Sequence, residues 1–396
     1  MGNILHLLYD DLTDDVWDCR SNTLTNLMQH NNITNFKLHN IHEELVDINY
    51  VLIIKHVKQL GDHIHENNEL PLLNNFIGKI GDSKIIYLND TEPDSVDLLS
   101  RINSIISNYP INPSQLYVVN NNSKLLEMKT ELGSEVNVHT NRRLAIWISQ
   151  SMAHNHPKFT PNKLKMFTFH TREIKIHRFV LLCLFKKYNL LEDTDWSMLR
   201  GWDLNKRFLD ENGKMKMFYY DKVFEYEDLK YLEEEVKYLS KFDIKKSEFE
   251  GNFEFDIPNP NYNDLFRINS YSKSYINIIT ESHFNRDIIH ITEKSFLPFF
   301  FMQLPIFCAS YGHVKKMREL YKFDMFDDLI DHSYDNEPNS SKRFFMVFYE
   351  ILRLYHMKDE IEKFYKLNRE RFLINKDKTE RIKDDKTDYN FYLSLI

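Results

Sequence analysis

The strongest constraint on the fold is a succession of short apolar runs, most of them ending in polar or acidic residues and standing far enough apart to leave room for helices. Asn3–Tyr9 breaks at Asp10-Asp11, Tyr50–Lys55 follows, and Lys84–Leu88 runs straight into Asn89-Asp90-Thr91-Glu92; Gln115–Val119 and Val136–His139 come next. Runs of this length bounded by turn residues read as strands. Between them, Ser95–Ser107 places Val96, Leu99, Ile102, Ile105 and Ile106 on one helical face, with Asp94 or Ser95 as the cap. Alternating strands and helices predict an α/β fold of the doubly wound kind, whose ligands gather beyond the carboxyl ends of the strands.

A chain of 396 residues with 42% apolar content exceeds one ordinary core and suits two domains. Pro157 to Asn162 carries two prolines among short polar residues and marks a boundary near residue 160. The pattern then restarts with an alternating strand, Lys163–Phe169, and an apolar helix over Phe179–Phe185. From about 202 to 263, Tyr and Phe interleave with Glu, Asp and Lys, and Leu229, Leu232, Val236 and Leu239 keep helical spacing, as in an exposed amphipathic insertion. Ser340–Leu354 and Lys358–Phe372 read as helices, Lys376–Thr387 as a charged, loosely structured tail, and Tyr389–Ile396 as an apolar terminus that docks. The expected layout is an N-terminal domain over 1–160, a second over 161–335 with its insertion at about 202–263, and C-terminal helices over 336–396.

A net charge of −8 argues against a broad cationic surface for nucleic acid, which must neutralise several phosphates. No apolar run approaches the roughly 20 residues of a membrane span, and acidic residues stand in Met1–Asp15 where a secretory signal has a basic start, so a cytoplasmic protein is expected. Cys19, Cys183 and Cys308 stand far apart and read as reduced, buried thiols. The pairs His39/His42, His63/His65 and His154/His156 lack a Glu or Cys at ligand spacing, and Asp193-Thr194-Asp195 reads as a polar turn, so no metal is expected. The weight of Asn, Lys and Ile over Gly and Ala is what AT-rich coding sequence produces, as in a virus or a low-GC bacterium.

The densest chemistry lies between Tyr275 and Asp335. An apolar run ends in Thr280-Glu281, Thr292-Glu293-Lys294 opens onto Phe296–Leu304, and a second run, Ile306–Ala309, leads to Tyr311-Gly312 and a basic helix. Two helix starts facing strand ends would cradle phosphate. Upstream, Arg172, His177 and Arg178 collect at a strand-to-helix junction, which suits a diphosphate or, on the plainer reading, solvent. Asp90, just past an apolar strand, stands where a rigid element would hold a general base; an ordinary turn also puts Asp there, and Asp10, Asp11 and Glu92 are the other carboxylates so placed.

The phrase Ile291-Thr292-Glu293-Lys294-Ser295-Phe296, a dozen or so residues after Thr280-Glu281, resembles the donor-binding motif of nucleotide-sugar glycosyltransferases of two-domain GT-B architecture. The nearest resemblance is to fucosyltransferase-type C-terminal domains and to phage-encoded glycosyltransferase-like proteins. In the phage group the order Ile176-His177-Arg178, Thr292-Glu293-Lys294, Pro305-Ile306-Phe307, Phe323–Phe326 and Asp331–Asp335 recurs, with a Pro where Ile176 stands, a Gly before Phe323 and a Glu at His332. The match covers residues 163–190 and 275–335. More faintly, Ser83–Glu92 is similar to the strand and acidic loop of phage DNA β-glucosyltransferases, which selects Asp90 among the carboxylates.

The resemblance implies two Rossmann-like domains and a metal-independent enzyme, a hexosyl- or pentosyltransferase, with a nucleotide sugar as co-substrate and no other cofactor. Its acceptor would be a glycan, a small hydroxyl compound or a hydroxymethylated DNA base. Arg172, Arg178 and Lys294, with His177 and amides near Thr292, would meet the diphosphate; Glu281 or Glu293 would accept from hydroxyls; Asp90 would be the base. The alternative from another class is a non-catalytic interaction protein on a degenerate glycosyltransferase fold, and a third is a metal-dependent phosphate-ester enzyme.

Overall fold

The computed structural model describes residues 4–9, 21–30, 33–45, 48–55, 83–89, 102–103, 105–107, 111–127, 129, 135–140, 142, 145, 157–200, 204–216, 225–241, 269–286 and 288–395. The chain divides into two compact units, Met1–Trp147 with Asp384–Ile396, and Ile148–Lys383.

In the first unit the strands are β1 (Leu5–Tyr9), β2 (Phe36–Asn40), β3 (Val51–Lys55), β4 (Lys84–Asn89), β5 (Leu116–Asn120) and β6 (Asn137–Thr140), and helix α1 spans Ser21–His30. All neighbours pair in parallel in the order β2-β1-β3-β4-β5-β6. Side chains alternate between faces along a strand. Leu8, Leu52, Ile85, Tyr87, Leu116 and Val118 therefore join one core with Ile102 and Ile105, while Leu5, Leu7, Val51, Ile53, Ile86 and Leu88 join another with Leu24 and Met28 of α1. Covering on both faces is why these strands read as continuous apolar runs. The apolar terminus docks as its composition requires. Tyr392 and Leu395 enter the second of these cores, a burial that contributes roughly 1.5–3 kcal/mol per large side chain. Lys84 Nζ donates to the Leu395 carbonyl at 2.6 Å, and Asp388 accepts from the Arg142 amide at 2.9 Å.

The second unit holds β7 (Lys165–Glu173), α2 (Ile176–Lys187), β8 (Thr194–Arg200), α3 (Tyr226–Leu239), β9 (Ser274–Thr280), β10 (Leu304–Cys308), α4 (His313–Tyr321), α5 (Ser340–His356), α6 (Lys358–Leu367) and α7 (Arg369–Arg381). Its sheet is parallel, in the order β10-β9-β7-β8. The chain leaves β7 to one side for β8 and returns on the other for β9. The strand order therefore reverses between β7 and β9, and in open parallel sheets ligands bind beyond the carboxyl ends of the strands at such a reversal.

Several expectations are corrected. Thr194 and Asp195 open strand β8 rather than forming a turn: Thr194 Oγ1 donates to the Leu190 carbonyl at 2.7 Å and Asp195 is buried. Residues 376–381 are helical, because Lys376–Glu380 and Asp377–Arg381 pair one turn apart while Phe372, Asn375 and Thr379 face inward. The segment 336–396 is not a separate set of helices but divides between the two units. In α3, Leu232, Val236 and Leu239 are buried, and Glu235 and Asp228 pair with Lys186 and Lys187 of α2, so this helix is part of the second unit's layer. No helix among the described residues is long and apolar enough to cross a membrane.

Candidate functional site

The site is built where β7, β9 and β10 end. β9 carries buried residues throughout and delivers Thr280 and Glu281, 2% and 1% exposed, to the carboxyl edge of the sheet. An ionised carboxylate there must be satisfied by donors. Glu281 receives the Thr292 hydroxyl at 2.8 and 2.9 Å, the Thr292 amide at 3.3 Å and the Ser295 hydroxyl at 2.6 Å. Burial alone would push this carboxyl up, but Lys294, His313 and the Ser295 hydrogen bond outweigh it and hold it below the usual range.

Thr292 also caps the 3-10 turn Glu293–Phe296, accepting the Lys294 amide at 3.3 Å. Within that turn Lys294 Nζ bonds Glu293 at 2.8 Å and lies 3.4 Å from the Thr292 hydroxyl; its side chain is 28% exposed while that of Glu293 is 6% exposed. Burial would lower the ammonium's pKa, yet Glu293 and Glu281 more than offset this and keep it charged. Thr292, Glu281 and Lys294, expected together from the sequence, do come together. The amides of Thr292, Lys294 and Ser295, by contrast, are spent within the protein.

From the other side, α2 brings His177 and Arg178. Arg178 donates to the Thr280 carbonyl at 2.7 Å and His177 Nε2 to the Glu281 carbonyl at 2.9 Å. His177 stacks on Phe284 with ring centroids 5.0 Å apart, and burial followed by the Arg178 charge holds it well below the usual histidine range. It is thus a neutral tie between α2 and the loop after β9, whereas Arg178 supplies charge close enough to act on Lys294. Lys175, the N-cap of α2, gives the helix start no side-chain cap. Arg172 lies on β7, but its side chain falls outside the described residues, as does Asp90, which follows the last residue of β4.

Ser295, His313, Asp335 and Arg343 complete the arrangement; Ser295 and Asp335 stand within the quoted motifs, but the sequence assigned none of the four a role. His313 Nε2 lies 2.9 Å from the Ser295 hydroxyl. Gly312, at φ 77°, turns the chain into α4 in a conformation that a side chain would strain. Asp335 accepts the Val314 and Lys315 amides at 2.9 Å each, so the start of α4 is capped by the protein and does not serve as the second arm of a phosphate cradle. The buried Arg343 guanidinium donates to the carbonyls of Ala309 at 3.0 Å, Glu337 at 2.7 Å, Pro338 at 3.1 Å and Phe284, tying together the loops after β9 and β10 and the approach to α5. Chemically, the edge offers one partly exposed ammonium backed by a buried guanidinium and a satisfied carboxylate, an arrangement suited to an anion. Among the described residues no three His, Cys, Asp or Glu side chains gather as a metal centre.

Comparison of the chain with protein families, curated proteins and solved structures finds no match.

Proposed function

We propose that the chain is a glycosyltransferase whose second unit holds a nucleotide-sugar donor at the carboxyl ends of β7 and β9. The observation that carries this reading is the Glu281 clamp, which sets the charged, partly exposed Lys294 beside the buried Arg178 guanidinium where the strand order reverses. In transfer, the acceptor oxygen forms a bond to the anomeric carbon while the bond from that carbon to the phosphate oxygen breaks. The electron pair leaves with the nucleoside diphosphate, and the acceptor's proton passes to a carboxylate, assigned to Asp90 from the likeness of Ser83–Glu92. Charge thus grows on phosphate as it leaves, and fixed cations lower the barrier more than they stabilise the ground state. Lys294 supplies the contact, Arg178 the field, and the start of α2 its amides. The acceptor is a hydroxyl, on a glycan, a small molecule or a hydroxymethylated DNA base.

Calorimetric titration with UDP and GDP tests the donor half. The intact chain binds at least one of them, and Lys294→Ala weakens that binding about tenfold or more, since a charge-assisted contact contributes about 1.5–3 kcal/mol. Absence of binding to any nucleoside diphosphate, together with absence of transfer from common nucleotide sugars, would overturn the reading.

A further inference from the structure

The groups that face the proposed anion are few, and what holds them is buried. Lys294 sits in the middle of a turn whose two ends, Thr292 and Ser295, both bond to the single carboxylate of Glu281. Thr292, Ser295, Glu281 and His313 are 4%, 0%, 1% and 0% exposed, so none of these bonds competes with bulk water.

Counting protons along the chain of contacts assigns each donor. An ionised carboxylate only accepts, so the one hydroxyl proton of Ser295 goes to Glu281. His313 Nε2, 2.9 Å from the same hydroxyl, must then bring its own proton and donate to the oxygen lone pair. His313 is thereby held as the Nε2–H tautomer, with its lone pair on Nδ1. That assignment agrees with a separate observation: Nδ1 has no hydrogen-bond partner among the described residues, as a lone pair facing apolar packing tolerates better than an N–H would. The Phe307 ring lies 5.3 Å from that of His313.

We propose that Ser295 and His313 are positioning residues for Lys294, acting through Glu281: His313 orients the Ser295 hydroxyl, Ser295 anchors the far end of the turn, and the ammonium is thereby held on Glu293 at the carboxyl edge of the sheet. Burial holds His313 below the usual histidine range, outweighing Glu281, beyond β9, and Asp335, at the mouth of α4, which both favour a cation there. Protonation of Nδ1 leaves the Nε2–H bond intact, so the clamp holds on either side of the histidine's titration. The functional consequence rests on the donor-site reading above; the geometry of the clamp does not.

The test uses the full chain labelled with ¹⁵N-histidine and ¹³C-lysine, with signals assigned by His313→Gln and Lys294→Arg. The expected spectrum of the wild-type chain shows His313 as the Nε2–H tautomer at pH 7.5, a pattern lost or averaged in Ser295→Ala. The Lys294 Cε titration, which lies above the ordinary lysine range in the wild type, moves back toward it in Ser295→Ala. Against UDP or GDP, Ser295→Ala and His313→Leu bind about tenfold more weakly. His313→Gln, whose amide can still donate to Ser295, restores most of the affinity, which a loss of packing alone would not explain. An Nδ1–H tautomer, or a Lys294 titration unchanged by Ser295→Ala, overturns the proposal whether or not nucleotide binds. Wild-type chain that shows the expected spectra but binds no nucleotide supports the clamp and overturns only the donor-site reading.

Discussion

Replacing Glu281 by Gln removes one charge and almost no volume, and thereby isolates what the carboxylate does. In the protein it accepts from two hydroxyls and one amide at 2.6–3.3 Å and lies at the centre of the Lys294, Thr292 and Ser295 cluster. The Gln amide keeps one acceptor oxygen but turns its NH₂ toward hydroxyls that already donate, and it leaves the Lys294 ammonium with Glu293 alone. Breaking a buried, satisfied pair by removing one partner costs about 3–5 kcal/mol, and the retained oxygen places the expected loss at the lower end, about 3 kcal/mol. Because the chain has two units, a single global unfolding energy is ill defined. Amide hydrogen exchange followed on the β9 segment Ser274–Thr280 reads the second unit by itself. The acid limb supplies a second check. Glu281 is held below its usual range, so its stabilisation is fully present above the unfolded carboxylate's pKa and is lost as pH falls through the folded one. The wild-type advantage over Glu281→Gln is therefore constant from pH 5 to 8 and shrinks only at more acid pH. A loss below 1 kcal/mol at pH 7, or an advantage that fades already at pH 6, would refute the clamp as the organiser of this edge.

Three further outcomes are expected. Arg343→Met keeps most of the volume but strands the carbonyls of Ala309, Glu337, Pro338 and Phe284; it lowers the second unit's stability by about 3 kcal/mol or more as read by amide exchange in β9, with exchange rising also in the loops after β9 and β10. Asp90→Asn leaves nucleoside diphosphate affinity unchanged and suppresses sugar transfer in a radiolabelled-donor assay, and retained transfer moves the base to another carboxylate. His6 and His39 share one proton across 2.9 Å between β1 and β2, and burial, then His39 and Lys37, hold His6 below 6.5. Protonation thus favours the unfolded form as pH drops through that value, so exchange in β2, corrected for intrinsic rates, accelerates between pH 7 and 5.5. His6→Asn abolishes the acceleration.

Local pattern determined a good deal of this protein. The strand segments covered on both faces, among them Ile85–Leu88 and Leu304–Cys308, announce themselves as apolar runs because each of their side chains is buried. The Thr292-Glu293-Lys294 turn was legible because a capping residue, a charge pair and a helix start are local chemistry. Two of the edge strands were not legible: Phe36–Asn40 alternates weakly and stays half exposed, and Thr194–Arg200 opens with the polar Thr194-Asp195. Nothing near Ser295, His313 or Arg343 in the chain announces their distant partners Glu281, Ser295 and Ala309, which lie 14, 18 and 34 residues away. Only the packing of β9 against β10, which brings Thr280 into register with Cys308, sets Glu281, Ser295 and His313 on one buried line. The residues that offer charge at the sheet edge could thus be read from the sequence, whereas those that hold that charge in place are defined by hydrogen bonds that exist only once the sheet has formed.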